Sequence, residues 1–203
     1  MPPPTLKTVE KPSSALPVTI NPHKKRAGTD FVQILGSLLD GLQGNYTQLL
    51  IVCIGSDRST GDSLGPLVGS ILQKTPLQNT IVLGTLSQPV HALNLPETRE
   101  QLAKDYKTAA VLAIDASLGR KKNVGCLEIG KGGLYPGAAV KKSIPPIGDL
   151  FITGIVNAGG FMEELVLQNT RLGLVFPLAE FIGLGIYKTI LRTKWLSQKT
   201  TRF

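Results

Sequence analysis

Three short, largely apolar runs, each ending in a turn led by a glycine or an aspartate, constrain this chain more than any other feature. They are Leu49–Ile54 before Gly55, Thr80–Leu83 before Gly84, and Ala109–Ile114 before Asp115. Runs this short and this uniformly apolar suit strands buried on both faces, which is the situation of a parallel sheet. Between them lie segments with apolar residues spaced by three and four. Phe31, Ile34, Leu35, Leu38, Leu39 and Leu42 predict a helix to about Gly44, with Thr29 or Asp30 as its cap. Further helices are expected over 63–74 and 93–107. This alternation predicts an α/β fold, a three-layer α/β/α sandwich around a mostly parallel sheet.

The rest of the chain is less regular. Residues 124–130 read as an edge strand, 131–148 as a Gly- and Pro-rich loop too long for a plain connection, and 149–168 as a long helix. A last strand is expected over 171–176 and a closing helix over 178–196. Residues 1–27 are rich in Pro, Ser, Thr and Lys without periodicity and predict a flexible basic arm. The expected organisation is therefore that arm, one domain over 28–196, and a basic tail over 197–203.

Charge sharpens this division. The net charge is +8, but residues 1–27 hold five Lys/Arg and one Glu, and residues 188–203 hold five Lys/Arg and no acid. The interior, with 12 basic and 13 acidic residues, is close to neutral. A basic balance confined to the ends reads as solvated tails, and no zinc-finger, helix-turn-helix or aromatic-basic pattern accompanies it, so nucleic acid is not an expected partner. No run of about 18 apolar residues stands out and the start of the chain has no apolar signal core, so neither a membrane span nor export is expected. Two cysteines, Cys53 and Cys126, are too few for a disulfide framework or a zinc site, which suits a cytoplasmic location.

In open parallel sheets, ligands bind beyond the carboxyl ends of the strands. Two of the runs deliver a carboxylate there: Asp62 in the turn Gly55-Ser56-Asp57-Arg58-Ser59-Thr60-Gly61-Asp62, and Asp115 directly after its strand. Neighbouring carboxylates share a proton and activate water, or hold a divalent cation. Asp62 also suits a helix cap before Ser63, and Asp115 a plain turn residue, so both structural readings stay open. His91 follows the second run and reaches the same rim, whereas His23 belongs to the arm. No dinucleotide fingerprint, phosphate-binding Gly-Lys-Ser/Thr or Gly-x-Ser-x-Gly elbow is present.

Three motifs in order resemble a known group. Gly61-Asp62-Ser63-Leu64-Gly65-Pro66, Ala113-Ile114-Asp115-Ala116 and Gly133-Leu134-Tyr135-Pro136-Gly137 are similar to segments of the spore germination protease. The turn at Gly55-Ser56 with Asp62 and Gly65, and Asp115 followed by Lys121-Lys122-Asn123, resemble the hydrogenase maturation endopeptidases. The chain as a whole looks like a YyaC-type sporulation protein, with the resemblance running from about residue 49 to 194. It implies a phosphorylase/hydrolase-like fold and a sporulation-associated endopeptidase using Asp62 and Asp115 as its catalytic pair on a protein or peptide substrate. Gly55, Ser56, Gly65, Gly119, His91, Tyr135 and Pro136 would contact substrate, with backbone N–H groups around Gly55, Ser56 and Gly119 facing the oxyanion. The third ligand of the maturation enzymes' nickel site falls near Pro146-Ile147, where no His stands. No cofactor is therefore expected, and only a divalent cation held by Asp62, Asp115 and His91 stays open. Two other functions are compatible with the same rim: a non-catalytic binding protein, and a small-molecule hydrolase or phosphorylase using Arg58 and Arg120 for an anion.

Overall fold

A computed structural model describes residues 16–136 and 145–197. Six strands form one sheet in the order β1-β5-β6-β4-β2-β3. These are β1 (Val18–Ile20), β2 (Gln48–Cys53), β3 (Thr80–Leu83), β4 (Ala109–Gly119), β5 (Leu127–Lys131) and β6 (Leu150–Ala158). β3, β2, β4 and β6 run parallel to one another, while β5 is antiparallel to both β6 and β1. The helices are α1 (Ala27–Asp40), α2 (Leu64–Gln73), α3 (Leu95–Asp105), α4 (Glu163–Gln168), α5 (Leu172–Arg192) and α6 (Lys194–Ser197).

Alternation along β2 separates the two faces. Leu49, Ile51 and Cys53 join the larger core beneath α1, α2 and α5, while Leu50 and Val52 face a smaller core with Leu95 and Leu102 of α3. The three-layer α/β arrangement is therefore present, with unequal layers. α5 is long and apolar enough, by length and composition, to cross a bilayer, contrary to the reading that no such run exists. Half of that stretch is buried inside the fold, where α5 packs on α1 and α2 as a core helix.

Five expectations are corrected. Residues 149–168 are not one helix: β6 occupies Leu150–Ala158, and only α4 is helical. Ile152, Thr153, Ile155 and Val156 are β-branched, Gly154 interrupts them, and both faces are covered, which favours a central strand over a helix. The strand expected over 171–176 is instead the start of α5, which continues through Pro177, its sixth residue, at the loss of the one hydrogen bond an N–H there would make to the Gly173 carbonyl. β5 is not an edge strand, because β1 pairs with it. β1 itself, and α1 from Ala27, lie within the stretch read as a flexible arm, and Ile20 is buried beside Leu127 and Ile129. Residues 1–15 and 198–203, the remainder of the two tails, lie outside the described residues. Nor does Thr29 or Asp30 cap α1: its cap position is Arg26, without a side-chain bond.

α2 lies unusually close to the end of β2. Gly65 and Gly69, four residues apart on one face of α2, meet backbone directly: a Cβ on Gly65 would stand 2.0 Å from the Ile54 carbonyl oxygen, and one on Gly69 2.0 Å from that of Gly84. This close seat fixes where the chain just before α2, which carries Asp62, can lie.

Candidate functional site

β2 stops at Cys53, which registers with Ile114, whereas β4 and β6 run on beyond it. Asp115 thus emerges one residue past the end of its neighbour, still inside β4 and paired with Thr153 of β6. It is not a turn residue. Its side chain shares the face of Ala109, Val111 and Ala113, the side covered by α3.

The turn after β2 folds back on itself. The Gly55 N–H donates to the Val90 carbonyl at 2.8 Å, and the Ser56 N–H to the Asp62 carbonyl at 3.2 Å. Gly55 has φ +141°, and a Cβ there would lie 1.9 Å from the Asp62 carbonyl oxygen, so only glycine fits beneath Asp62. The Gly61 N–H donates to Leu167 at 2.9 Å, tying the turn to α4. The cap position of α2 is Ser63, whose hydroxyl donates to the Thr60 carbonyl, and no side chain caps the helix. The capping explanation for Asp62 is thereby removed.

Asp62 and Asp115 line one cavity of about 410 Å³, together with Gly55, Ser56 and His91. Tyr135 and Pro136 close another side, and Leu134 is held there by its bridge to Ile147. Gly137 and the rest of the long loop to residue 144 lie outside the described residues. Burial pushes the Asp115 carboxyl up to about 8; the negative charge of Asp62 adds to this, and the Ala116 N–H, donating to Oδ1 at 2.8 Å, opposes it. Asp115 retains some accessible surface, but its carboxyl is set deep among protein atoms and opens only into the cavity, so burial governs its ionisation. Asp62 is also raised, first by burial and then by the charge of Glu164, while Ser59 favours its charged form. The Ser59 hydroxyl lies near Asp62 without completing a hydrogen bond of good geometry.

Glu163 and Glu164, at the head of α4, line the same cavity and were not recognised in the sequence. They follow the Gly159-Gly160 turn at the carboxyl end of β6, and reading 150–158 as a strand would have brought them to the same rim. His91 is placed by the Ile54–Val90 bridge and by its N–H bond to Asn94 Oδ1 at 2.8 Å. Its Nδ1 is buried without a partner; Ser59 Oγ is the other such atom among the described residues.

Several expected contacts fall elsewhere. Gly65 is buried against Ile54 and does not line the cavity; its part is helix–strand packing. Gly119 lines a neighbouring cavity of about 550 Å³ with Arg120, Asn123 and Glu128, which shares Ser117, Leu118, Leu134, Tyr135 and Thr153 with the first. The N–H groups of Gly55 and Ser56 are already bonded, so they do not form the expected oxyanion site. Arg58 and Arg120 do not meet at the carboxylates, and among the described residues no Lys or Arg lines that cavity. Among the described residues no three His, Cys, Asp or Glu side chains converge to hold a metal ion, so Asp62, Asp115 and His91 do not assemble into a cation site. Cys53 and Cys126 are buried free thiols, and burial raises the Cys53 thiol far above its ordinary range.

The family described as "Protein of unknown function (DUF1256)" matches residues 19–185. The Bacillus subtilis (strain 168) protein YyaC, described as uncharacterized, is 48% identical over 178 residues, covering 87% of this chain and 85% of that one. The crystal structure of the NiFe hydrogenase maturation protease HycI from Thermococcus kodakarensis KOD1 aligns with a TM-score of 0.46 at 19% identity, covering 79% of this chain and 99% of that one.

Proposed function

The chain belongs to the DUF1256 family and is of the YyaC type, and from the carboxyl pair at the rim of its sheet we propose that it serves peptide hydrolysis, as a cytoplasmic endopeptidase acting during sporulation. The observation that carries this reading is the carboxyl pair in one cavity: Asp115, held protonated near neutral pH, beside Asp62, whose charge it feels. Two such groups in different protonation states supply an acid and a base at the same carbonyl.

The Asp62 carboxylate takes a proton from water as the water oxygen bonds to the scissile carbonyl carbon. Asp115 donates its proton to the carbonyl oxygen, giving a neutral tetrahedral intermediate. On collapse the C–N bond breaks, Asp62 passes its proton to the leaving nitrogen, and Asp115 recovers one from the hydroxyl that becomes the new carboxyl group. One water is consumed, an acid and an amine leave, and the pair returns to its single-proton state. The protonated Asp115 supplies the donor that the occupied Gly55 and Ser56 amides do not.

Incubating the full chain with a proteome-derived peptide mixture, and reading new termini by mass spectrometry, tests this. Wild type is expected to generate new termini. Asp62→Asn and Asp115→Asn are each expected to lose about 10²–10⁴-fold in rate, the usual contribution of a positioned acid or base, while still unfolding cooperatively. Undiminished cleavage by either variant contradicts the assignment. A wild-type protein that binds peptides but cuts none supports the non-catalytic reading.

A further inference from the structure

The cavity collects four carboxyl groups, those of Asp62, Asp115, Glu163 and Glu164, and no Lys or Arg among the described residues lines it. Glu163 is half-buried, and the charge of Glu164 reaches Asp62. Neither glutamate has a hydrogen bond or ion pair among the described residues. The hydrolytic pair accounts for two of the four; the others only add like charge, which is unfavourable until a cation answers it. His91 Nδ1, buried and unpartnered on the same wall, is a further polar atom without a protein partner.

The segments that line the cavity also carry large apolar side chains in water. Tyr135 is 62% exposed; Leu93, next to the lining residue Ala92, is 76% exposed; Phe161 and Met162, directly before Glu163, are 89% and 56% exposed. Apolar surface gathered beside a concave polar site marks a binding surface. Here it suits the flanking residues of a polypeptide better than a bare ion or a small polar solute.

We propose that Glu163 and Glu164 form a recognition subsite for a cationic group of the peptide substrate, either a Lys or Arg side chain or a free α-amino group, with apolar residues beside it. The proposal rests on the hydrolytic reading of Asp62 and Asp115 for the word substrate, but its chemistry is tested by binding alone. The two glutamates are positioning residues for specificity and take no part in bond breaking.

The experiment measures binding to the full-length protein, by calorimetry at low and moderate salt, of three peptides. One is acetyl-Ala-Leu-Lys-Leu-Ala-amide; the second replaces lysine with norleucine; the third is the norleucine peptide with a free amino terminus. Wild type is expected to bind at least one cationic peptide about tenfold more tightly than the blocked norleucine peptide, with the preference shrinking as salt rises. Preference for the lysine peptide identifies a side chain as the cation, and preference for the free-amine peptide identifies a chain end. Glu163→Gln and Glu164→Gln, singly and together, are expected to reduce that preference while binding of the blocked norleucine peptide stays near wild type. A role confined to α4 stability would move the melting temperature and leave the discrimination intact. Equal binding of all three peptides, no binding of any, or full discrimination in the double variant overturns the proposal. Cationic preference without cleavage leaves it standing and rejects the hydrolytic reading, and cleavage without cationic preference does the reverse.

Discussion

Asp115→Asn is expected to melt roughly 5–10 °C above wild type at pH 8, and close to wild type at pH 4. In the folded protein Asp115 titrates at about 8, against 3.8 for the exposed group. A carboxyl whose folded value is raised binds its proton more tightly when folded. Its contribution to stability is therefore complete below about pH 4 and is lost as pH rises through about 8. Each pKa unit corresponds to about 1.4 kcal/mol, so the wild-type protein carries a penalty on the order of a few kcal/mol at alkaline pH. Asparagine keeps the shape and removes the charge, leaving part of that gain after its amide has been accommodated. Thermal unfolding followed by circular dichroism at pH 4, 6 and 8 checks this; parallel wild-type and variant curves across that range would count against a buried, proton-bearing Asp115. A variant that is more stable yet inactive is the signature of a group kept for chemistry at a cost to the fold.

The second large effect concerns a residue without chemistry. Gly65→Ala is expected to lower stability by about 3 kcal/mol or more, with a melting temperature lower by roughly 10 °C, and to abolish activity with it. The added Cβ would stand 2.0 Å from the Ile54 carbonyl oxygen and 2.8 Å from its carbon, both backbone atoms that no rotamer change can move. α2 must then lift from the end of β2 and carry Asp62 out of the cavity. Gly173→Ala is the control: nothing lies within 4 Å of that position in α5, and alanine suits a helix, so stability should hold or rise slightly. Equal melting temperatures for the two variants would contradict the close seat of α2.

What the sequence disclosed follows from how each signal is carried. β2, β3 and the start of β4 announce themselves as short apolar runs, and α1 to α3 by their spacing, because a core buried on both sides leaves little room for polar residues. β6 was obscured because Leu150, Phe151, Ile152, Ile155 and Val156 are apolar on both faces, a pattern that a strand and a buried helix share; the β-branched content was the distinguishing signal. β1 spans only Val18–Ile20 and exists through its pairing with β5, so no local period marks it. Asp62 and Asp115 were legible as strand-end carboxylates, and the fold brings them to one cavity. Glu163 and Glu164 were hidden by the misread helix. Gly65 was assigned to substrate because it travels with Asp62 in the chain, whereas its missing side chain serves the contact with Ile54.

Hydrolysis by this pair requires Asp62 and Asp115 to hold one proton between them near neutral pH. Carboxyl carbon NMR of the full-length protein, with the resonances assigned from Asp62→Asn and Asp115→Asn, tests it directly. The Asp115 carboxyl is expected to titrate near pH 8 and to move down when Asp62 is replaced by Asn. An Asp115 that titrates in the ordinary range near pH 4, unchanged by that replacement, would contradict it.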